Sequence, residues 1–84
     1  MRMKVEVFSK NNCPQCKMVK RWLDEHEVNY TEINVEKNEA ERLRLTMHGF
    51  QTVPVTMINS EGKYTEMVHG FRPSDFNRIF KGGN

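Results

Sequence analysis

Apolar and polar positions alternate along Met3-Lys4-Val5-Glu6-Val7-Phe8, a period of two that predicts a strand. Met3, Val5 and Val7 fall on one face and Lys4, Glu6 and Phe8 on the other, with Phe8 expected to turn back into the core. Polar Ser9-Lys10-Asn11-Asn12 suits a turn. The period then lengthens. Met18, Val19, Trp22 and Leu23 recur at helical spacing, which predicts a helix from Cys13 to about His26 with these four residues buried. Lys17, Lys20, Asp24 and Glu27 lie outside, and Trp22 is read as core. Alternation returns over 29–35, with Tyr30, Glu32 and Asn34 opposite Thr31, Ile33 and Val35. This second strand is joined to the first through a helix, so the pair is expected to be parallel with a right-handed crossover. Asn38 can cap a second helix, and Glu41 three residues on resembles a capping box. That helix should run to about Met47, burying Ala40, Leu43 and Met47 and leaving Glu41, Arg42 and Arg44 in water, with Gly49 closing it at positive φ.

A β-branched run, Val55-Thr56-Met57-Ile58, predicts a third strand. Pro54 lacks an N–H, so it marks the start of that strand or an edge; on the residues alone the Val53-Pro54 bond is read as trans. Asn59-Ser60-Glu61-Gly62 reads as a hairpin loop, and Lys63 to Val68 as a fourth, antiparallel strand. Gly70-Phe71-Arg72-Pro73 ends the sheet and starts a last helix. Pro73 takes its first position, Asp75 its first turn, and Phe76, Ile79 and Phe80 a narrow apolar stripe. Lys81-Gly82-Gly83-Asn84 is read as a frayed tail. The order βαβαββα describes an α/β chain with a four-stranded mixed sheet and three helices. It is expected to be a single domain over 1–84, without repeats or linkers.

Composition narrows the function classes. A formal net charge of +2 over 84 residues is too small to argue for nucleic acid. No apolar run approaches the twenty or so residues of a membrane span, and the N-terminus lacks an h-region, so the reading is a soluble, cytoplasmic protein. Nothing demands more than a monomer. Met1, Met3, Met18, Met47, Met57 and Met67 are taken as adaptable core filler.

Both cysteines stand in Cys13-Pro14-Gln15-Cys16, where the first strand gives way to the first helix. Pro14 fits the first helical position, where its missing N–H removes no hydrogen bond. Cys13 is then the N-cap and Cys16 lies one turn inside, near enough to pair. Free amides and the positive end of the helix dipole favour a thiolate at Cys13; such cysteines titrate at roughly 3.5 to 7.5, against about 8.5 for a free thiol. Cys13 is the expected nucleophile and Cys16 the resolving thiol. Two other readings are half of a zinc site and a structural disulfide. Zinc lacks a second ligand pair, since His26, His48 and His69 are scattered, and so short a loop constrains the unfolded chain little. Lys10, Lys17, Lys20 and Arg21 form a basic rim that would help Cys13 ionise and favour an acidic partner or a glutathione carboxylate; Lys20 and Arg21 read more simply as a solvated face. A C-x-x-C beside a βαβ unit points to a thioredoxin-like fold.

Lys10-Asn11-Asn12-Cys13-Pro14-Gln15-Cys16 together with Thr52-Val53-Pro54 resembles a glutaredoxin over essentially the whole chain. Gln15 and the Gly70-Phe71-Arg72-Pro73 turn resemble more narrowly the NrdH-redoxins, small proteins with a glutaredoxin-like sequence and a thioredoxin-like role. The resemblance implies a dithiol electron carrier with protein disulfide reductase activity and no cofactor or metal. It would take electrons from thioredoxin reductase and pass them to the large subunit of class Ib ribonucleotide reductase. It implies a cis Val53-Pro54 bond, a Val53 backbone that pairs with the partner's cysteine segment, and a docking surface that adds Lys10, Gln15, Thr52, Pro54, Gly70, Phe71 and Arg72. Val19, Val68 and His69 depart from the family's residues, and His69 stands where its protonation would touch the dithiol. The alternatives are a glutathione-dependent dithiol glutaredoxin, with Lys10 on a glutathione carboxylate, and a non-catalytic metal or iron–sulfur module. Against glutathione, the loop that grips its other end is replaced by Gly70-Phe71-Arg72-Pro73-Ser74-Asp75, and the Tyr between the motif cysteines is Gln15.

Overall fold

A computed structural model describes residues 3–81. Its elements are β1 (Met3–Ser9), α1 (Pro14–Glu25), β2 (Thr31–Asn34), α2 (Glu39–Met47), β3 (Val55–Ser60), β4 (Lys63–His69) and α3 (Pro73–Lys81). This is the expected order. Lys81 closes α3 instead of opening a tail; the remaining tail residues and Met1 lie outside the described residues.

The sheet order is β2-β1-β3-β4. β1 runs parallel to β2 and antiparallel to β3, which pairs antiparallel with β4. The β3–β4 connection is a two-residue turn, Glu61 at φ +55 and Gly62 at φ +87, whose twist suits a hairpin. No described helix is long and apolar enough to cross a membrane.

Each face of the sheet carries its own core. On one, Val7 and Val68 pack with Val19, Trp22 and Leu23 of α1 and Phe76 of α3. On the other, Phe8, Val55 and Met57 pack with Val35, just after β2, and with Leu45 of α2. Phe8 therefore does not turn back. It keeps the alternation of β1 and is buried because helices cover both faces of this central strand.

α2 presents a different face from the one expected. Leu43 and Met47 are exposed, at 51% and 86%, and Ala40 is exposed with them. Glu41, Arg44, Leu45 and His48 turn toward the sheet. The reason lies on β1, where Glu6 is buried and needs a cation. Arg44 supplies it. Its Nη2 donates to Glu6 Oε2 at 3.1 Å, its Nε to Glu41 Oε1 at 2.8 Å and its Nη1 to the Tyr64 hydroxyl at 2.7 Å, while the guanidinium lies 5.0 Å from the Phe8 ring centre. Pairing with Glu41 and Glu6 outweighs desolvation and holds the Arg44 pKa above its ordinary value. Asn38 caps α2 by accepting from the Glu41 amide at 3.1 Å, but the Glu41 carboxylate is used by Arg44, so the box is half made. The methionines are mostly not filler: among the described residues Met3, Met18, Met47 and Met67 are exposed and only Met57 is core. Met18 accordingly drops out of the α1 stripe, which keeps Val19, Trp22 and Leu23 together with Cys16.

Candidate active site

The turn after β1 delivers the dithiol to one end of the sheet. Asn12 takes φ +55, a conformation asparagine tolerates. The turn is anchored to the loop after β2: Asn11 N–H donates to Glu36 Oε1 at 3.0 Å, and Asn34 Nδ2 to Asn11 Oδ1 at 3.0 Å. α1 then starts at Pro14 with Cys13 as its N-cap, the sulfur accepting from the Cys16 amide at 3.1 Å. Cys13 and Cys16 form a disulfide with Cα atoms 5.2 Å apart. Their exposures are 6% and 1%, so an incoming sulfur meets Cys13 first. Once the bond is reduced, the amide that Cys13 accepts and the helix dipole both favour its thiolate.

Facing the dithiol is the segment before β3. Val53-Pro54 is cis, as the resemblance implied and against the reading from residues alone. Among the described residues the Val53 backbone makes no hydrogen bond. Its neighbours on both sides are tied to the end of β4. Gly70 N–H donates to the Pro54 carbonyl at 2.8 Å, and Thr52 Oγ1 is hydrogen-bonded to His69 Nε2 at 2.6 Å. Gly70 has φ +88, and a Cβ there would sit 3.5 Å from Gln15 Oε1.

Between these walls runs a groove of about 660 Å³, lined by Lys10, Asn12, Cys13, Pro14, Gln15, Thr52, Val53, His69 and Gly70. A second cleft of about 440 Å³ continues past Lys10, Thr52 and Val53 onto Val35, Leu45 and Phe50. Of the residues singled out in the sequence, Lys10, Cys13, Gln15, Thr52, Val53 and Gly70 meet at the groove, and Pro54 and Cys16 are buried. Phe71 packs instead on the α1–α3 core, edge-on to Phe76 at 6.3 Å, and borders a shallow cleft with Met18 and Trp22. Arg72 is exposed and donates from Nε to the His69 carbonyl at 3.3 Å. Asn12 and Pro14 line the groove although the sequence reading gave them no contact role; their adjacency to Cys13 was the available signal.

The basic rim divides. Lys20 donates to Glu32 Oε2 at 2.8 Å and Arg21 pairs with Glu25 at 3.2 Å, an ordinary helix surface. Lys10 and Lys17 are exposed and carry no ion pair among the described residues. The Lys20 bond, then the Ser9 hydroxyl at 2.8 Å, hold the Glu32 carboxyl below its ordinary value and tie α1 to β1 and β2.

Comparison with known proteins adds to this geometry. Residues 5–62 match the family model described as Glutaredoxin. The chain is 41% identical over 75 residues to the glutaredoxin-like protein NrdH of Lactococcus lactis subsp. cremoris, covering 89% of this chain and 97% of that protein. It is 29% identical over 77 residues to the NrdH of Escherichia coli strain K12, covering 92% and 89%. Among solved structures, it is similar to the NrdH-redoxin of Escherichia coli, a glutaredoxin-like protein with a thioredoxin-like activity profile (TM-score 0.77, 26% identity, 90% and 93% of the two chains). It is likewise similar to the thioredoxin-like protein BC3987 (TM-score 0.71, 29% identity, 90% and 99% of the two chains).

Proposed function

The chain belongs to the glutaredoxin family and within it to the NrdH glutaredoxin-like redox proteins, and on that premise we propose that it carries electrons from thioredoxin reductase to class Ib ribonucleotide reductase. It does so as a cytoplasmic monomer. The observation that carries this reading is the pairing of an N-cap Cys13 with an unpaired Val53 backbone across one groove. An extended peptide can add to Val53 by main-chain hydrogen bonds, which are indifferent to its side chains.

The exchange then balances in two steps. The Cys13 thiolate attacks one sulfur of the partner disulfide, the partner's S–S bond breaks, and its other sulfur leaves as a thiolate. Cys16 gives up its proton and attacks Cys13 Sγ, releasing the second partner sulfur. The partner gains two electrons and the Cys13–Cys16 bond forms. A reductase reverses that oxidation. The potential should fall in the span of roughly −270 to −180 mV known for related exchangers. Gln15 at the groove, and Pro73 starting α3 where glutaredoxins place a glutathione loop, support a protein disulfide over glutathione as substrate.

The test is NADPH consumption with a protein disulfide, driven by thioredoxin reductase or by glutathione with its reductase. Turnover is expected with the first alone; turnover with the second alone refutes the reading. Cys16→Ser should trap a covalent adduct with the large subunit of ribonucleotide reductase, while Cys13→Ser should trap none.

A further inference from the structure

We infer that His69 is a positioning residue for partner docking, acting through the Thr52 hydroxyl to hold the Val53 backbone ready for an incoming strand. The inference rests on the exchange proposed above.

Among the described residues Val53 has no backbone hydrogen-bond partner, so the segment carrying it needs support from either side. On its C-terminal side Gly70 N–H binds the Pro54 carbonyl. On its N-terminal side the link is made by side chains alone: His69 Nε2 and Thr52 Oγ1 at 2.6 Å, with the imidazole also against the Phe50 ring at 5.5 Å. The His69 backbone is in turn fixed by its register opposite Val55 and by Arg72 Nε on its carbonyl. The histidine thus ties the strand end to the loop.

Both partners are exposed in the free protein and line the groove. Water can satisfy either one if the other is removed, so the free protein loses little stability, although the loop loses its tie. A docked peptide excludes that water. The hydroxyl and the ring nitrogen then satisfy each other, whereas a lone survivor is buried without a partner, and the penalty appears on docking. The bond forms in either protonation state: the Thr52 hydroxyl donates to an unprotonated Nε2 and accepts from a protonated one. Charge on His69 is not what the device requires.

His69→Ala and Thr52→Val should each raise KM for the protein disulfide about fivefold, with kcat much less affected. The double variant should rise no further than either single one, and His69→Gln, whose amide can reach the hydroxyl, should recover most of the loss. Additive rises, an unmoved KM, or failure of Gln to rescue would overturn the inference. A shift of the pH midpoint of Cys13 alkylation in His69→Gln would also overturn it, by showing that His69 acts through its charge on the dithiol. An arm that needs no turnover separates this inference from the exchange itself. NMR order parameters at Thr52 and Val53 should fall in His69→Ala and Thr52→Val and return in His69→Gln. If the wild type reduces no protein disulfide, the proposed function fails and the order parameters still decide the role of His69; equal rigidity in all variants refutes it.

Discussion

Removing Arg44 should expose how much the second core depends on one cation. Glu6 is 7% exposed on the central strand, and Arg44 meets it with both Nη atoms, at 3.4 and 3.1 Å. Among the described residues the other cation near it is Lys4, at 4.0 Å and itself mostly in water. Deleting one partner of a buried pair costs about 3–5 kcal/mol, because the surviving charge stays desolvated. Residual help from Lys4 puts Arg44→Met near the lower end, about 3 kcal/mol by the same reasoning. For a domain of this size each kcal/mol moves Tm by roughly 4–8 °C, so the variant should melt roughly 12–24 °C lower. Urea unfolding at pH 7 measures the loss directly. The companion variant Glu6→Leu/Arg44→Met removes both charges and should return to within about 1 kcal/mol of wild type. A loss below about 1 kcal/mol in the single variant, or a double variant as unstable as the single one, would show that the pair is solvated in practice and that something else turns α2.

Two further outcomes are expected. Gly70→Ala should cost about 1–2 kcal/mol in urea unfolding, because alanine is strained at the φ of +88, while its methyl would meet Gln15 at an ordinary contact distance of 3.5 Å; unchanged stability would contradict the strain. Glu32 has a folded-state pKa below the ordinary 4.5, set by the Lys20 bond first and Ser9 second, so its contribution is full above 4.5 and is lost as pH falls through the lower folded value; Lys20→Gln should flatten that acid limb by less than about 1 kcal/mol, as befits a largely solvated pair, and an unaltered limb would show that Ser9 alone sets it.

How much of this was legible in advance differs from element to element. β1, α1 and the hairpin were readable because the hydrophobic period switches cleanly between two and 3.6 and because Pro14, Pro73 and Gly62 mark boundaries. The dithiol was readable because two cysteines at that spacing with a proline between them leave few other chemistries. The face of α2 was not. Its apolar residues Ala40, Leu43, Leu45 and Met47 do not lie on one helical stripe, so the choice was made by Glu6, more than thirty positions away, once the sheet order buried it. Phe8 is in the core as expected but reaches it without turning back, because alternation tells which face a residue takes but not that helices will cover both. The Thr52–His69 bond depends on the register of β3 and β4 beside the loop, which no local pattern encodes.

The turn at Glu61 and Gly62 has a practical side. β3 leaves the groove at Val55 and β4 returns to it at His69, so their turn stands at the opposite end of the sheet, about 20 Å away at the usual rise of a strand. A fluorophore, an electrode tether or a fused reporter placed on Glu61 would leave the dithiol end unobstructed. The molecule offers a handle at one pole and its chemistry at the other, so immobilisation and turnover can be engineered independently.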